Sequence, residues 1–470
     1  MKPQFLIAAP HSGAGKTTVT LGILRALRNK GMNVQPFKCG PDYLEPKQHT
    51  LASGNQSINI DRFMMDDAHI NKLYMGYGSS ADVLVTEGVM GLFDGSVKME
   101  GSSADLARLL HIPVIMVINA KAMAYSVAAL LLGFKTLCPD IHIAGVIFNF
   151  VEHGSHYRML KEAAEDIGVT SLGYLPNSSS IQIPSRHLGL QTDNDIHLDL
   201  IIEQAAAHIN KHIDMETLMR VTTSTFLQTI DTAEDDKTNM VPQNKTTRRI
   251  LVAKDEAFNF TYAENITALS ALGELSYFSP LKDTILPPAD LIYLPGGYPE
   301  LHLEELSGNT TMRNQLHTYH ANGGKLLAEC GGMMYLGKYI ADETGTRYPM
   351  VDILDIATGM QHKKLSLGYK RVNIDGQEFK GHEFHYSQFV DLSTGGIPMA
   401  QITQAGTAKA DQTKKHAPAA NTNIRIWNAR DEQLQLPVFR TPNLLASYFH
   451  FYFGNKIMEL ETLLFSKTYD

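Results

Sequence analysis

Through the first half of the chain, short uninterrupted apolar runs alternate with stretches in which apolar residues recur every three or four positions. The runs fall at 5–9, 33–37, 81–86, 112–119 and 141–150. Runs without polar alternation are what a parallel sheet buried on both faces requires, and the intervening periodic stretches predict crossover helices. Residues 15–31 predict one such helix, with Val19, Ile23, Leu24 and Leu27 along one face and Gly31 as its stop.

A polar stretch at 231–249, almost free of large apolar side chains, predicts a linker. A second α/β pattern follows, with strands expected at 250–253, 291–294, 325–329 and 446–448. Residues 401–423, rich in Ala, Thr, Lys and Gln, predict an exposed insertion. The expected architecture is therefore a parallel-sheet α/β domain at 1–230, the linker at 231–249, and a second α/β domain at 250–470.

Composition narrows this picture. The chain has 470 residues, 44% hydrophobic and 19% charged, which suits two soluble domains. No run approaches a membrane span, and the apolar start is too short for a signal peptide. A net charge of −8 without a basic stripe argues against nucleic acid as a partner. Three separated cysteines, Cys39, Cys138 and Cys330, form no zinc or disulfide pattern and fit a reducing, cytoplasmic setting. A monomer or homodimer is expected.

Two stretches carry chemistry. Pro10-His11-Ser12-Gly13-Ala14-Gly15-Lys16-Thr17-Thr18 lies between the first strand and the first helix, where backbone N–H groups and the helix N-terminus can cradle the phosphates of ATP. Pro10 stands where the usual pattern has glycine. Lys16 can pair with phosphate oxygens, and Thr17 can ligate Mg²⁺. Acidic motifs follow two further strands, at 40–46 and 86–95, so Asp42 and Glu87 are expected to complete an oxygen-rich Mg²⁺ site with Thr17. The second stretch is Glu329-Cys330-Gly331-Gly332, between an apolar strand and a helix. Small neighbours and a sharp turn predict a nucleophile elbow, with the helix N-terminus lowering the thiol pKa. Backbone N–H groups of Gly296, Gly297 and Gly331 can form an oxyanion hole. The candidate base is His450, with His382 and His385 as alternatives.

With both sites in hand, the chain resembles the cobyrinic acid a,c-diamide synthase family, in which a dethiobiotin-synthetase-like ATPase domain is fused to a class I glutamine amidotransferase domain; the fold this implies is a P-loop parallel-sheet domain followed by a flavodoxin-like α/β domain. The stretches that carry the resemblance are 12–17, 40–46, 87–95, 186–190, 295–301, 329–332, 381–387 and 446–450. It implies that Cys330 attacks glutamine with His450 as base, and that ammonia travels to the first domain. There Mg-ATP would activate an acetate side chain of a corrinoid for amidation. It also implies substrate contacts at Asp42, Tyr43, Leu44, Glu45 and Asp94. Two positions depart from the family's pattern. Tyr452 stands where many amidotransferases carry a glutamate, and Glu45 where aspartate is more usual. Arg186 and His187 match a family stretch without an assigned role. Competing expectations are the same reaction on hydrogenobyrinic acid or nickel sirohydrochlorin, and a nucleotide-dependent switch with a degenerate amidotransferase module; the intact Cys330 argues against the last.

Overall fold

The computed structural model describes residues 1–183, 192–226, 248–392 and 423–465. Residues 231–247 of the expected linker, 401–422 of the expected insertion, and Arg186 and His187 lie outside the described residues. The chain divides into two compact units, Met1–Ala233 and Glu234–Asp470.

In the first unit, β1 (Lys2–Ala8), β2 (Val34–Cys39), β3 (Ile58–Ile60), β4 (Val83–Glu87), β5 (Val114–Asn119), β6 (Ile143–Asn149) and β7 (Ser171–Leu175) form a parallel sheet in the order β3-β2-β4-β1-β5-β6-β7. A short antiparallel β8 (Thr223–Ser224) pairs with the start of β1. The five expected runs fall on β1, β2, β4, β5 and β6. The register sets Glu87 at the end of β4 beside both Ile7 of β1 and Lys38 of β2, so three strand ends open on one place.

The expected first helix spans Lys16–Asn29, but its apolar stripe is not its whole buried surface. Every residue from Val19 to Leu27 is buried, because the Thr192–His212 helix packs over its outer side. A Cβ on Gly22 would come within 2.7 Å of Ile209 and 3.0 Å of the Ala205 carbonyl. The close approach needs a residue without a side chain there. Arg25 is buried in the same seam, yet it is paired with Asp199 and Glu203, which removes the cost of an isolated buried charge.

Among the described residues, the second unit holds three sheets. β9 (Arg249–Ala253), β10 (Glu274–Phe278), β11 (Leu291–Leu294) and β12 (Lys325–Glu329) run parallel beside β22 (Leu444–Ser447), in the order β10-β9-β11-β12-β22, with β21 (Val438–Thr441) antiparallel at the edge. The short strands β13 (Tyr339–Ala341), β14 (Arg347–Pro349), β15 (Ala357–Gly359) and β18 (Gln388–Phe389) make a four-stranded sheet. β16 (Ser366–Ile374), β17 (Gln377–His385), β19 (Ile424–Asn428), β20 (Gln433–Leu434) and β23 (Phe449–Tyr452) make an antiparallel sheet in the order β20-β19-β16-β17-β23.

The strand expected at 446–448 falls on the end of β22; Tyr448 leaves that strand, and β23 begins at Phe449 in a different sheet. The chain leaves the parallel sheet after Ser447 and enters the antiparallel one at Phe449. This sheet switch carries His450 off the parallel sheet and pairs it with His382 of β17.

Candidate active sites

The first site gathers where the phosphate loop meets the ends of β2 and β4. Gly13 and Gly15 both take positive φ, 83° and 88°. At Gly15 a side chain has no room, since a Cβ would lie 2.1 Å from Asn149 Nδ2, which itself donates to the Ala14 carbonyl at 3.0 Å. The loop is thus held from behind by β6. Lys16 reaches across to the Met90 carbonyl at 3.3 Å. Burial, and then the neighbouring Lys38, lower its pKa.

Thr17 Oγ1 donates to Glu87 Oε1 at 2.7 Å and lies 3.2 Å from Glu45 Oε1. Behind these oxygens sits a buried ion network. Lys38 Nζ is 2.6 Å from Glu45 Oε2 and donates to the Gly88 carbonyl at 2.8 Å. His49 Nε2 bonds Glu87 Oε2 at 2.6 Å. Burial alone would neutralise these groups, but opposite charges at contact distance outweigh it. The Lys38 pKa is raised above its ordinary value despite burial, by Glu45, Glu87 and Asp42. The Glu87 carboxyl is held well below its usual range despite burial, by Lys38 and His49.

Of the residues expected here, Thr17 and Glu87 are brought together, and Glu45, expected at the substrate, joins them. Asp42 turns its Oδ1 to the N–H groups of Leu44 and Glu45, at 2.8 and 2.9 Å, in the turn that leads into the Glu45–Ser53 helix. Tyr43 is buried, Leu44 is half-buried, and Asp94 is exposed, its carboxylate accepting from Gly91 N–H at 2.9 Å. Sequence reasoning missed Lys38 and His49. Their signals were a lysine near the end of a short, largely apolar run and a histidine four positions beyond Glu45 on one helix face. Thr17, Glu45 and Glu87 present only hard oxygen donors, which fits a magnesium ion.

The second site forms at the end of β12. Cys330 has φ 47° and ψ −107°, a strained conformation, and the six-residue helix Gly331–Leu336 follows at once. Its N–H donates to the Ser447 carbonyl of β22 at 2.7 Å, and its thiol faces the Phe384 carbonyl at 3.8 Å. A Cβ on Gly331 would meet Gly297 N at 3.2 Å and Pro299 at 2.7 Å, so the two glycine backbones expected to bind an oxyanion lie against each other. Gly296 is packed on the His450 ring, where a Cβ would fall 2.3 Å from Cε1. Cys330 and His450 are thus linked through one glycine turn after β11.

The two alternative bases are otherwise engaged. His385 bonds Glu383 Oε1 at 2.7 Å through Nε2 and the Ser387 carbonyl at 2.9 Å through Nδ1, while stacking on Tyr448. His382 contacts the Tyr262 hydroxyl at 3.1 Å and stacks on His450, with centroids 4.9 Å apart.

Electrostatics here correct one expectation. The thiol is not lowered: burial, and then Glu300, push its pKa far up, and the opposing Gly331 N–H is too little to reverse this. Burial, then His382 and His385, hold His450 well below its usual range. Burial alone lifts Glu329, the residue before the nucleophile, to about 8 against the bonds it accepts from Tyr293 and Phe451. The resting pair is therefore a neutral thiol and a neutral imidazole, with the imidazole free of a proton at its accepting nitrogen.

Comparison with known proteins covers both units. Residues 5–190 match the CobQ/CobB/MinD/ParA nucleotide binding domain, and residues 249–458 match the CobB/CobQ-like glutamine amidotransferase domain. A hydrogenobyrinate a,c-diamide synthase of Brucella suis biovar 1 is 42% identical over 395 residues, covering 82% of this chain and 89% of that one. A cobyrinate a,c-diamide synthase of Caldanaerobacter subterraneus subsp. tengcongensis is 41% identical over 407 residues, covering 83% and 87%. Another, of Dehalococcoides mccartyi (strain CBDB1), is 37% identical over 469 residues, covering 96% and 95%.

Proposed function

The chain belongs to the family of cobyrinate and hydrogenobyrinate a,c-diamide synthases, and from that premise we propose that it amidates the a and c acetate side chains of cobyrinic acid with ATP and glutamine. The observation that carries the reading is the strained Cys330 elbow, with the backbones of Gly297 and Gly331 in contact beside it and His450 lodged against Gly296.

At the second site, the thiol proton of Cys330 passes to His450 as sulfur adds to the carboxamide carbon of glutamine. The developing oxyanion is received by backbone N–H groups of the glycine turn and of Gly331. His450 returns the proton to the departing ammonia, and water then hydrolyses the thioester to glutamate.

At the first site, a substrate carboxylate attacks the γ-phosphorus of ATP, giving an acyl phosphate and ADP. Ammonia displaces phosphate from the acyl carbon to give the amide, and the cycle repeats at the second carboxylate. Thr17, Glu45 and Glu87 would hold Mg²⁺, which supplies neutralisation of the charge gathered in phosphoryl transfer. Lys16 leaves the Met90 carbonyl for the phosphate oxygens. Lys38 compensates the buried Glu45 and Glu87 carboxylates, and holds Glu87 well below its usual range.

The test is a substrate panel of cobalt, metal-free and nickel tetrapyrrole carboxylates, each supplied with Mg-ATP and glutamine and followed by mass spectrometry. Diamide from cobyrinic acid is expected; amidation of only the metal-free compound would move the reading to hydrogenobyrinic acid, and no amide from any would end it.

A further inference from the structure

Hydrolysis of glutamine by a neutral cysteine and a neutral histidine needs a group that fixes the imidazole and receives the charge it takes on. In many amidotransferases a glutamate two residues beyond the histidine does this. Here that position is Tyr452, which lies on the same face of β23 as His450 and is buried with its ring edge against Tyr262, centroids 5.6 Å apart. A buried phenol is no substitute for a carboxylate.

We propose that Glu329, the residue immediately before the nucleophile, is the positioning acid for His450. This rests on the reading of Cys330 and His450 as a glutaminase pair. The Glu329 Oε2 lies 3.9 Å from His450 Nδ1, and both residues are about 1% exposed. The carboxylate is itself held at both oxygens. Tyr293 O–H donates to Oε2 at 2.8 Å, and the Phe451 N–H donates to Oε1 at 3.1 Å. Phe451 is the next residue after His450, so the acid is tied directly to the strand that carries the base. Two donors aimed at one carboxyl mark it as an acceptor.

The other acidic and aromatic groups nearby are placed for different tasks. Glu383 is bound by Lys370 at 3.2 Å and His385 at 2.7 Å. His382 lies over the face of the His450 ring, at an interplanar angle of 14°, and can hold its plane but not hydrogen-bond its edge. Gly296 fills the space at Cε1. Stacking and crowding therefore fix where the ring lies, and Glu329 fixes how it is turned about its axis.

When His450 accepts the Cys330 proton at Nε2, positive charge develops on the imidazole. Nδ1–H then donates to Glu329 Oε2, and the carboxylate stays unprotonated while the thiolate adds to the substrate carbon. The gap closes by about 1 Å to reach an ordinary hydrogen bond of roughly 2.9 Å, the kind of tightening that catalytic contacts show when substrate binds. Burial raises the carboxyl in the resting site, and the imidazolium formed beside it acts in the opposite direction.

Glutaminase kinetics of the full chain test the proposal, with ammonia-dependent amide synthesis and thermal unfolding measured on the same samples. Glu329→Gln should lower kcat for glutamine by about 100-fold, with KM changed by less than about threefold. Ammonia-dependent synthesis and the unfolding midpoint should stay near wild type. Tyr293→Phe, which removes one donor and leaves the acid in place, should cost about tenfold in kcat alone. Wild-type kcat in Glu329→Gln, or an equal fall in synthesis and thermal stability, would overturn the assignment. Should Glu329→Gln prove insoluble, a wild-type kcat in Tyr293→Phe overturns it instead. If the wild-type chain hydrolyses no glutamine, or Cys330→Ala hydrolyses as fast as wild type, the proposed function itself falls, separately from Glu329.

Discussion

The two sites handle burial in opposite ways. Around the phosphate loop, Lys38, Glu45, Glu87 and His49 are all buried, and they remain charged or hydrogen-bonded because each has an opposite partner within contact distance. Around Cys330, burial is as deep, and it drives thiol and imidazole alike toward their neutral forms. Low dielectric strengthens whatever charge pairing exists and penalises charge without it. The contrast matches the chemistry. Phosphoryl transfer needs fixed charge present from the start, whereas thiol addition needs charge that appears only as the proton moves.

Removing the reacting atom separates the sites most sharply. Cys330→Ala should lower glutamine-dependent synthesis by about 10⁴-fold or more while synthesis with high ammonia continues; comparable loss with both nitrogen sources would mean that the thiol serves the fold. Next in size is the pairing itself. Lys38→Met leaves Glu45 and Glu87 buried without their cation and should cost about 3–5 kcal/mol of stability in the first unit. Denaturant unfolding followed by exchange of first-unit amides would read this. A Lys38→Met chain as stable as wild type would show that the acids are not held by charge.

A purely steric change at the second site should have a smaller effect. Gly296→Ala puts a methyl group where the His450 ring lies, and the resulting displacement should lower glutaminase kcat by about 100-fold without altering ammonia-dependent synthesis. The smallest effects are in pH. Glu87 is held below its unfolded value near 4.5, so wild type's advantage over Glu87→Gln should be complete above about pH 4.5 and shrink as pH falls below it. His382 is lowered from 6.5 to about 3, by burial and then Lys370. The unfolded chain therefore binds that proton first, and wild type should lose ground to His382→Gln as pH falls from about 6.5 toward 3, by up to roughly 1.4 kcal/mol per pH unit. Coincident windows for the two pairs of proteins would break the contrast.

What could be read in advance follows the same physics. Parallel strands buried on both faces write themselves as continuous apolar runs, and the phosphate loop and the cysteine elbow both sit where such a run meets a helix. The antiparallel sheet of the second unit was not visible, because its strands β16 and β17 mix polar and apolar residues and Gly381 of β17 lies so close to the His450 carbonyl that no side chain fits. The strand expected at 446–448 carries no sign of the change of sheet at Tyr448 that starts β23 and aims His450. Buried charges were hidden for another reason: Lys38 and Glu329 close apolar runs and look like strand ends reaching solvent. Their partners, Glu45 and Glu87 for Lys38 and Tyr293 and Phe451 for Glu329, come from other elements of the chain.

The central claim is that ammonia made at Cys330 is fixed onto activated tetrapyrrole carboxylates. Its most direct test supplies the purified chain with Mg-ATP, cobyrinic acid and glutamine labelled with ¹⁵N at the amide, in buffer holding unlabelled ammonium. A diamide carrying two ¹⁵N atoms is expected, and none should form from the Cys330→Ala chain under the same conditions. A product without the label, or glutamine hydrolysis with no amide formed, would contradict the account.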